Sequence, residues 1–161
     1  MSQNPQPYLL LDVGGVLSPY GMTPPADFSE REIGGFWVVW TDRHAERVSR
    51  LAERFELIWA TTWEEYANQA LCPALGIDPL PVITFVRGET QTRKLHSVKE
   101  FVGNRPAAWI DDDLYEDAHL WATRRDQNVP TLLVQTTPSV GFTDEHVTEL
   151  LDFAARCGGG Q

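Results

Sequence analysis

Five short apolar runs recur along this chain, and their spacing constrains the fold more than any other feature. They are residues 8–11 with Val13, "LIWA" at 57–60, "PVITF" at 81–85, "AAWI" at 107–110 and "TLLVQ" at 131–135. Each has the length of a strand and lacks the strict alternation of a half-exposed one, so each reads as buried on both faces. Between the runs lie helical patterns. "TDRHAERVSRLAERF" places Ala45, Val48, Leu51, Ala52 and Phe55 on one face, and "DEHVTELLDFAAR" does the same with Val147, Leu150, Leu151 and Ala154. Shorter helices are expected over 63–72, 94–102 and 114–126.

Strands alternating with helices imply an α/β fold of the doubly wound kind. The expectation is a mainly parallel, five-stranded, Rossmann-like sheet with helices on both faces. Two pieces break the rhythm: the Pro- and Gly-rich stretch from Ser18 to Gly35, and the extra strand "GFWVVW" at 35–40. Together they read as a loop and a small β-hairpin flap after strand one. With 161 residues and 42% hydrophobic content the chain suits one domain, placed at 1–156, with 157–161 as a flexible tail.

Composition narrows the function. The formal charge of −10 comes without a Lys/Arg run, which argues against general nucleic-acid binding or an anionic membrane and suits a metal cation better. Cys72 and Cys157 form no CxxC spacing, so they are read as inert thiols in a reducing compartment. The start "MSQNPQPYLLLD" has no basic segment, and Asp12 interrupts its apolar run far short of membrane-span length. A cytoplasmic location is expected.

In open α/β sheets ligands bind beyond the carboxyl ends of the strands, so the residues following each run carry the chemistry. Asp12 follows the first run, Thr61 and Thr62 follow "LIWA", Asp111, Asp112 and Asp113 close "AAWI", and Lys94 opens the helix before that strand. A carboxylate can attack phosphorus and hold a metal. A hydroxyl and an ammonium can bind phosphate oxygens, and further carboxylates can complete a magnesium shell. Plainer roles exist for several of these residues. Thr62 with Glu65 spells a capping box, and the three aspartates could cap a helix starting near Leu114. His44, His96, His119 and His146 share no metal spacing and read as surface or helix-face residues. Trp59 and Trp109 belong to strand runs and the core, whereas Trp37, Trp40 and Trp63 fall nearer the site mouth, where they could stack on a ring.

This order of Asp, Thr, Lys and an acidic pair resembles the haloacid dehalogenase (HAD) superfamily of aspartate-nucleophile phosphohydrolases. Its first motif, D-x-D-G-x-x, corresponds to Asp12, Val13, Gly14, Gly15, Val16 and Leu17. More narrowly, "WATTWEEYAN", "AAWIDDDL" and "TTPSVGFTDEHV" resemble small bacterial HAD domains attached to RNA-repair proteins. The resemblance implies a catalytic set of Asp12, Thr61 and Lys94, with phosphate held by Thr61, Thr62, Lys94 and Gly15. It implies Mg2+ on Asp12, Asp111 and Asp112 with the Gly14 carbonyl. It also exposes a departure, because the second Asp of the motif, a general acid and base in the family, is Gly14 here.

Losing such a group typically lowers the rate on the order of 10² to 10⁴-fold, so slow turnover remains open. A replacement proton donor could come from Tyr20, Asp27, Glu30 or Asp42. Only 48 residues separate Asp12 from Thr61, and eight separate "PVITF" from Lys94, so no cap domain fits and an open site is expected. Such a site suits a phosphorylated substrate as large as a nucleotide or polynucleotide end, with Arg87, Arg93 and Lys94 as a local basic patch. The alternative is a non-catalytic module of the same fold that binds a metal, a phosphorylated ligand or a protein partner. Dehalogenase chemistry fits less well, since it needs no metal. A phospho-receiver order is disfavoured by Val86 and Arg87 after "PVITF". The oligomeric state is left open.

Overall fold

Leu9, Leu10 and Leu11 have no exposed surface, and they divide between two cores because successive side chains of a strand point to opposite faces. They belong to β1 (Tyr8–Leu11) of this computed structural model, which describes residues 5–21 and 23–158. In chain order there follow β2 (Ser29–Ile33), β3 (Phe36–Trp40), α1 (Arg43–Ala52), β4 (Glu56–Trp59), α2 (Glu65–Ala70), α3 (Cys72–Leu75), α4 (Leu95–Val102), β5 (Ala107–Asp111), α5 (Glu116–Asp126), β6 (Thr131–Gln135) and α6 (Asp144–Gly158).

The main sheet is wholly parallel in the order β4-β1-β5-β6, with Leu11 level with both Trp59 and Ile110. Leu9, Leu11, Trp59 and Ile110 face a core shared with α1, α2, α3 and α6. Leu10, Ile58 and Trp109 face the opposite core, under α4 and α5. Each fully buried leucine or isoleucine contributes roughly 1.5–3 kcal/mol, so both faces are strongly fixed and the register with them. The α/β expectation holds.

The strand count differs from five. "PVITF" makes a single parallel bridge, Val82 to Trp59, at the outer edge of β4. Pro81 has no N–H to donate and Pro79 stands two residues before it, so the segment contributes one bridge rather than a ladder. The last helix also runs beyond residue 156, where a flexible tail is expected to begin. Cys157 and Gly158 continue α6, because the half-buried Cys157 packs on the first core; residues 159–161 lie outside the described residues.

The flap is a two-stranded antiparallel hairpin in which Ile33 pairs with Phe36 across Gly34 and Gly35. Both glycines have positive φ, 58° and 90°, as a tight two-residue turn demands. A Cβ on Gly34 would lie 2.6 Å from that of Ala70, so the hairpin tip sits directly on α2. The hairpin leads into α1, where His44 departs from expectation: it is fully buried rather than at the surface. Its Nε2 lies 2.8 Å from the Leu17 carbonyl, and Phe28, Trp40 and Phe142 surround the ring. Trp40 is likewise core, not site mouth. Among the described residues no helix is long and apolar enough to cross a membrane.

Candidate active site

Parallel strands end together, and here three of them deliver polar residues to one edge. Asp12 follows β1 and is tied to the sheet by its amide, which donates to the Ile110 carbonyl at 3.3 Å. Ala60 follows β4 with its amide on Leu11 at 2.7 Å, so Thr61 leaves the sheet at the same edge as Asp12; Asp111 is the last residue of β5. A cleft of about 370 Å³ opens there, lined by Asp12, Gly14, Tyr20, Thr61, Thr62, Trp63, Arg93, Lys94, Asp111, Asp112 and Asp113. Of the residues expected in the catalytic, phosphate-binding and metal sets, all except Gly15 therefore line one cleft.

Lys94, just before α4, is the hub. Its Nζ lies 3.0 Å from Asp12 Oδ1, 2.7 Å from Asp111 Oδ2 and 2.9 Å from the Ala60 carbonyl. One ammonium facing two buried carboxylates cannot compensate both. Burial accordingly pushes the Asp12 carboxyl up to about 8 against the pull of Lys94, and burial raises Asp111 as well. The two carboxylates outweigh burial at Lys94 and hold its ammonium above the usual range.

Asp12, Asp111 and Asp112 each offer an oxygen, and these oxygens all lie within 4.8 Å of one another. Carboxylate oxygens in negative surplus are the donor set a hard divalent cation takes, so the residues fit magnesium. Tyr20 reaches in from the loop after β1 and donates its hydroxyl to Asp112 Oδ2 at 2.6 Å. That bond, with burial second, pushes the phenol up to about 12, so it remains a donor at neutral pH. Of the other acids weighed as replacements for the missing one, Asp42 pairs with Arg31, Asp27 faces Thr41 and Arg43, and Glu30 sits on β2; none of them lines the cleft.

Three expectations need correction. Gly15 is outside the cleft lining and its amide donates to the Ser18 carbonyl at 2.9 Å, so it is not free for phosphate. It makes room instead: at φ 76°, a Cβ there would lie 2.4 Å from Asp112 Oδ2. The Thr62–Glu65 capping box does not form either. Glu64 is the N-cap of α2, without a side-chain cap bond, and Thr61 Oγ1 accepts the Trp63 amide at 3.1 Å. Thr62 stays exposed at the cleft. Arg87 is exposed and does not line the cleft, whereas Arg93 lines it and has no ion pair or hydrogen bond among the described residues.

Some supporting residues gave no signal in the sequence. Thr92 donates its amide and hydroxyl to Asp117 and accepts the Tyr115 amide, which pins the loop carrying Arg93 and Lys94. Thr136 donates to the Gly15 carbonyl at 2.6 Å and so fixes the glycine pair. Glu64 takes φ 49°, a conformation that favours glycine and costs about 1–3 kcal/mol, directly beside Trp63. Isolated Thr and Glu residues look alike in a sequence, and their roles become visible only when distant segments meet.

No curated protein matches the chain. The model of the family described as the HAD domain in Swiss Army Knife RNA repair proteins matches residues 8–147, and with that span covered the chain belongs to that family.

Proposed function

We propose that the protein is a magnesium-dependent phosphohydrolase acting on a phosphate monoester through an aspartyl-phosphate on Asp12. The observation that carries this reading is the convergence of Asp12, Asp111 and Asp112 at the carboxyl edge of the sheet, with Lys94 bridging the first two. Asp12, Asp111 and Asp112 would hold the ion, with the Gly14 carbonyl as a further oxygen. When bound, magnesium would act as a Lewis acid on phosphoryl oxygens.

In this reading a carboxylate oxygen of Asp12 attacks phosphorus, the bond from phosphorus to the leaving oxygen breaks, and that oxygen takes a proton. Water then attacks the phosphorus, releasing inorganic phosphate and the Asp12 carboxylate. Thr61 and Thr62 supply hydroxyls to the phosphoryl group and Lys94 keeps Asp12 oriented. Arg93, which has no partner of its own among the described residues, pairs with the incoming phosphate.

Gly14 cannot protonate the leaving oxygen, and Tyr20 brings the only phenol of the cleft lining. Its hydroxyl supports turnover by offering a donor where the family's second Asp is missing. The family's description names RNA repair proteins, so a phosphorylated nucleotide or polynucleotide end is the substrate class to try first. Gly14 also favours a second reading, in which the same site binds a phosphorylated ligand without turning it over.

The test is phosphate release from an aryl phosphate and from 3′- and 5′-phosphorylated oligonucleotides, with magnesium and with chelator, in wild type and Asp12→Asn. Magnesium-dependent release that disappears in Asp12→Asn supports the enzyme. Background rates on every substrate, with phosphorylated ligands still bound, support the binding module.

A further inference from the structure

One wall of the cleft is aromatic, and the phosphoryl chemistry makes no use of it. Trp63 lines the cleft beside Asp12 and Arg93. Its ring centroid lies 5.2 Å from that of Phe36 on the hairpin, and Phe36 meets Tyr66 of α2 edge-on at 5.9 Å. Two of these rings stand well out in water: Phe36 is 43% and Tyr66 59% exposed. Contiguous large aromatics left in water beside a polar cleft mark a surface that something covers.

The cluster is built to hold its shape. The close seating of Gly34 on Ala70 docks the hairpin tip on α2, and Trp63 and Ile33 pack against the first core. A ligand that settles on these rings therefore orders little that is not already ordered. The occupant must combine two features: a phosphate for the cleft with its Arg93, and a flat π-face for the adjoining wall. A phosphorylated sugar has the first without the second, whereas a nucleotide has both. The net charge of −10 gives no long basic track for a strand backbone, which confines recognition to the terminal residue or two.

Resting on the phosphatase reading above, we propose that Phe36, Trp63 and Tyr66 form a stacking platform for the nucleobase next to the phosphate held at Asp12. The ligand class of the site is then a phosphorylated nucleotide or single-strand end. Every base has a π-face, so the platform accepts all four with little preference.

The test compares binding of short 3′- and 5′-phosphorylated oligonucleotides with binding of the same ligands lacking the terminal base. It uses Asp12→Asn protein with magnesium, read by calorimetry and tryptophan fluorescence. The expected result is a preference for the intact ligand of roughly 5- to 150-fold, with fluorescence quenching that the abasic ligand does not produce. Tyr66→Ala and Phe36→Leu, the second retaining an apolar contact to Trp63 without a π-face, should each bring the ratio towards one. Equal affinity for intact and abasic ligands in the Asp12→Asn parent, or a ratio that survives both substitutions, overturns the platform. If aryl phosphate is still hydrolysed in an Asp12-dependent way while the ratio is one, the platform fails and the phosphatase reading stands. A phosphotyrosine peptide that binds more tightly than any nucleotide ligand also overturns it, assigning the rings to a protein partner.

Discussion

Lys94 Nζ lies 3.0 Å from Asp12 Oδ1, and both side chains are almost wholly withdrawn from water. The same ammonium holds Asp111 at 2.7 Å, so a single cation supports two buried carboxylates. Removing one partner of a buried ion pair typically costs about 3–5 kcal/mol, because the remaining charge is left without compensation. Lys94→Met should therefore unfold at clearly lower urea concentration than wild type. Magnesium should recover part of the loss, since a divalent cation on the same carboxylates replaces the missing charge. Urea denaturation with and without magnesium checks both statements.

The two adjacent glycines should respond in opposite ways. No atom lies within 4 Å of a Cβ built on Gly14, which lines the cleft. Gly14→Asp should fold normally and raise phosphate release on the order of 10² to 10⁴-fold, by restoring a proton donor and acceptor. A Cβ on Gly15 would collide with Asp112 in a left-handed backbone conformation. Gly15→Ala should lose about 1–2 kcal/mol from the backbone alone and weaken magnesium binding by displacing Asp112. Thermal melts and magnesium titrations of the two variants separate these outcomes.

The contrast between those glycines shows how far the sequence could be read. Asp12, Thr61, Lys94 and the aspartates at 111–113 were legible because each directly follows an apolar run or opens a helix, positions that a parallel sheet must bring to one edge. Gly15 was misplaced because the sequence does not reveal which backbone amides a tight loop already engages. His44 sits on a helical face like any surface histidine, and its burial depends on Leu17, Phe28 and Phe142, all far away in the chain. The fifth strand failed at Pro81, where a run with strand-like composition lacks the N–H to extend a ladder.

Metal affinity should depend on pH through Asp12. Burial raises its carboxyl to about 8 in the metal-free protein, so a bound cation must displace a proton below that pH. Magnesium affinity should rise by up to about tenfold per pH unit approaching 8 and level off above it, with about one proton released per ion at pH 7. Calorimetry in buffers of different ionisation enthalpy measures the proton. Asp12→Asn should flatten the dependence.

His44 should make the fold sensitive to mild acid. Burial lowers its pKa to about 4, whereas an unfolded histidine titrates near 6.5. Between those values the unfolded chain binds the extra proton and the folded one does not. Stability is therefore complete above about pH 6.5 and is lost progressively as pH falls towards 4, by about 3 kcal/mol from this residue. Urea unfolding of wild type and His44→Gln across pH 4.5 to 7 checks it: the variant should show the shallower slope.

Asp12 should become phosphorylated during turnover, and the missing acid at Gly14 makes this directly observable. Without a side chain there to activate water, hydrolysis of the aspartyl-phosphate should be the slow step and the phosphorylated protein should accumulate. The decisive measurement is mass spectrometry of the peptide carrying Asp12 after acid quench during turnover of an activated aryl phosphate. A phosphoryl group on Asp12, absent in Asp12→Asn and diminished in Gly14→Asp, is the expected result; phosphate release with Asp12 unmodified at every quench time would contradict the account.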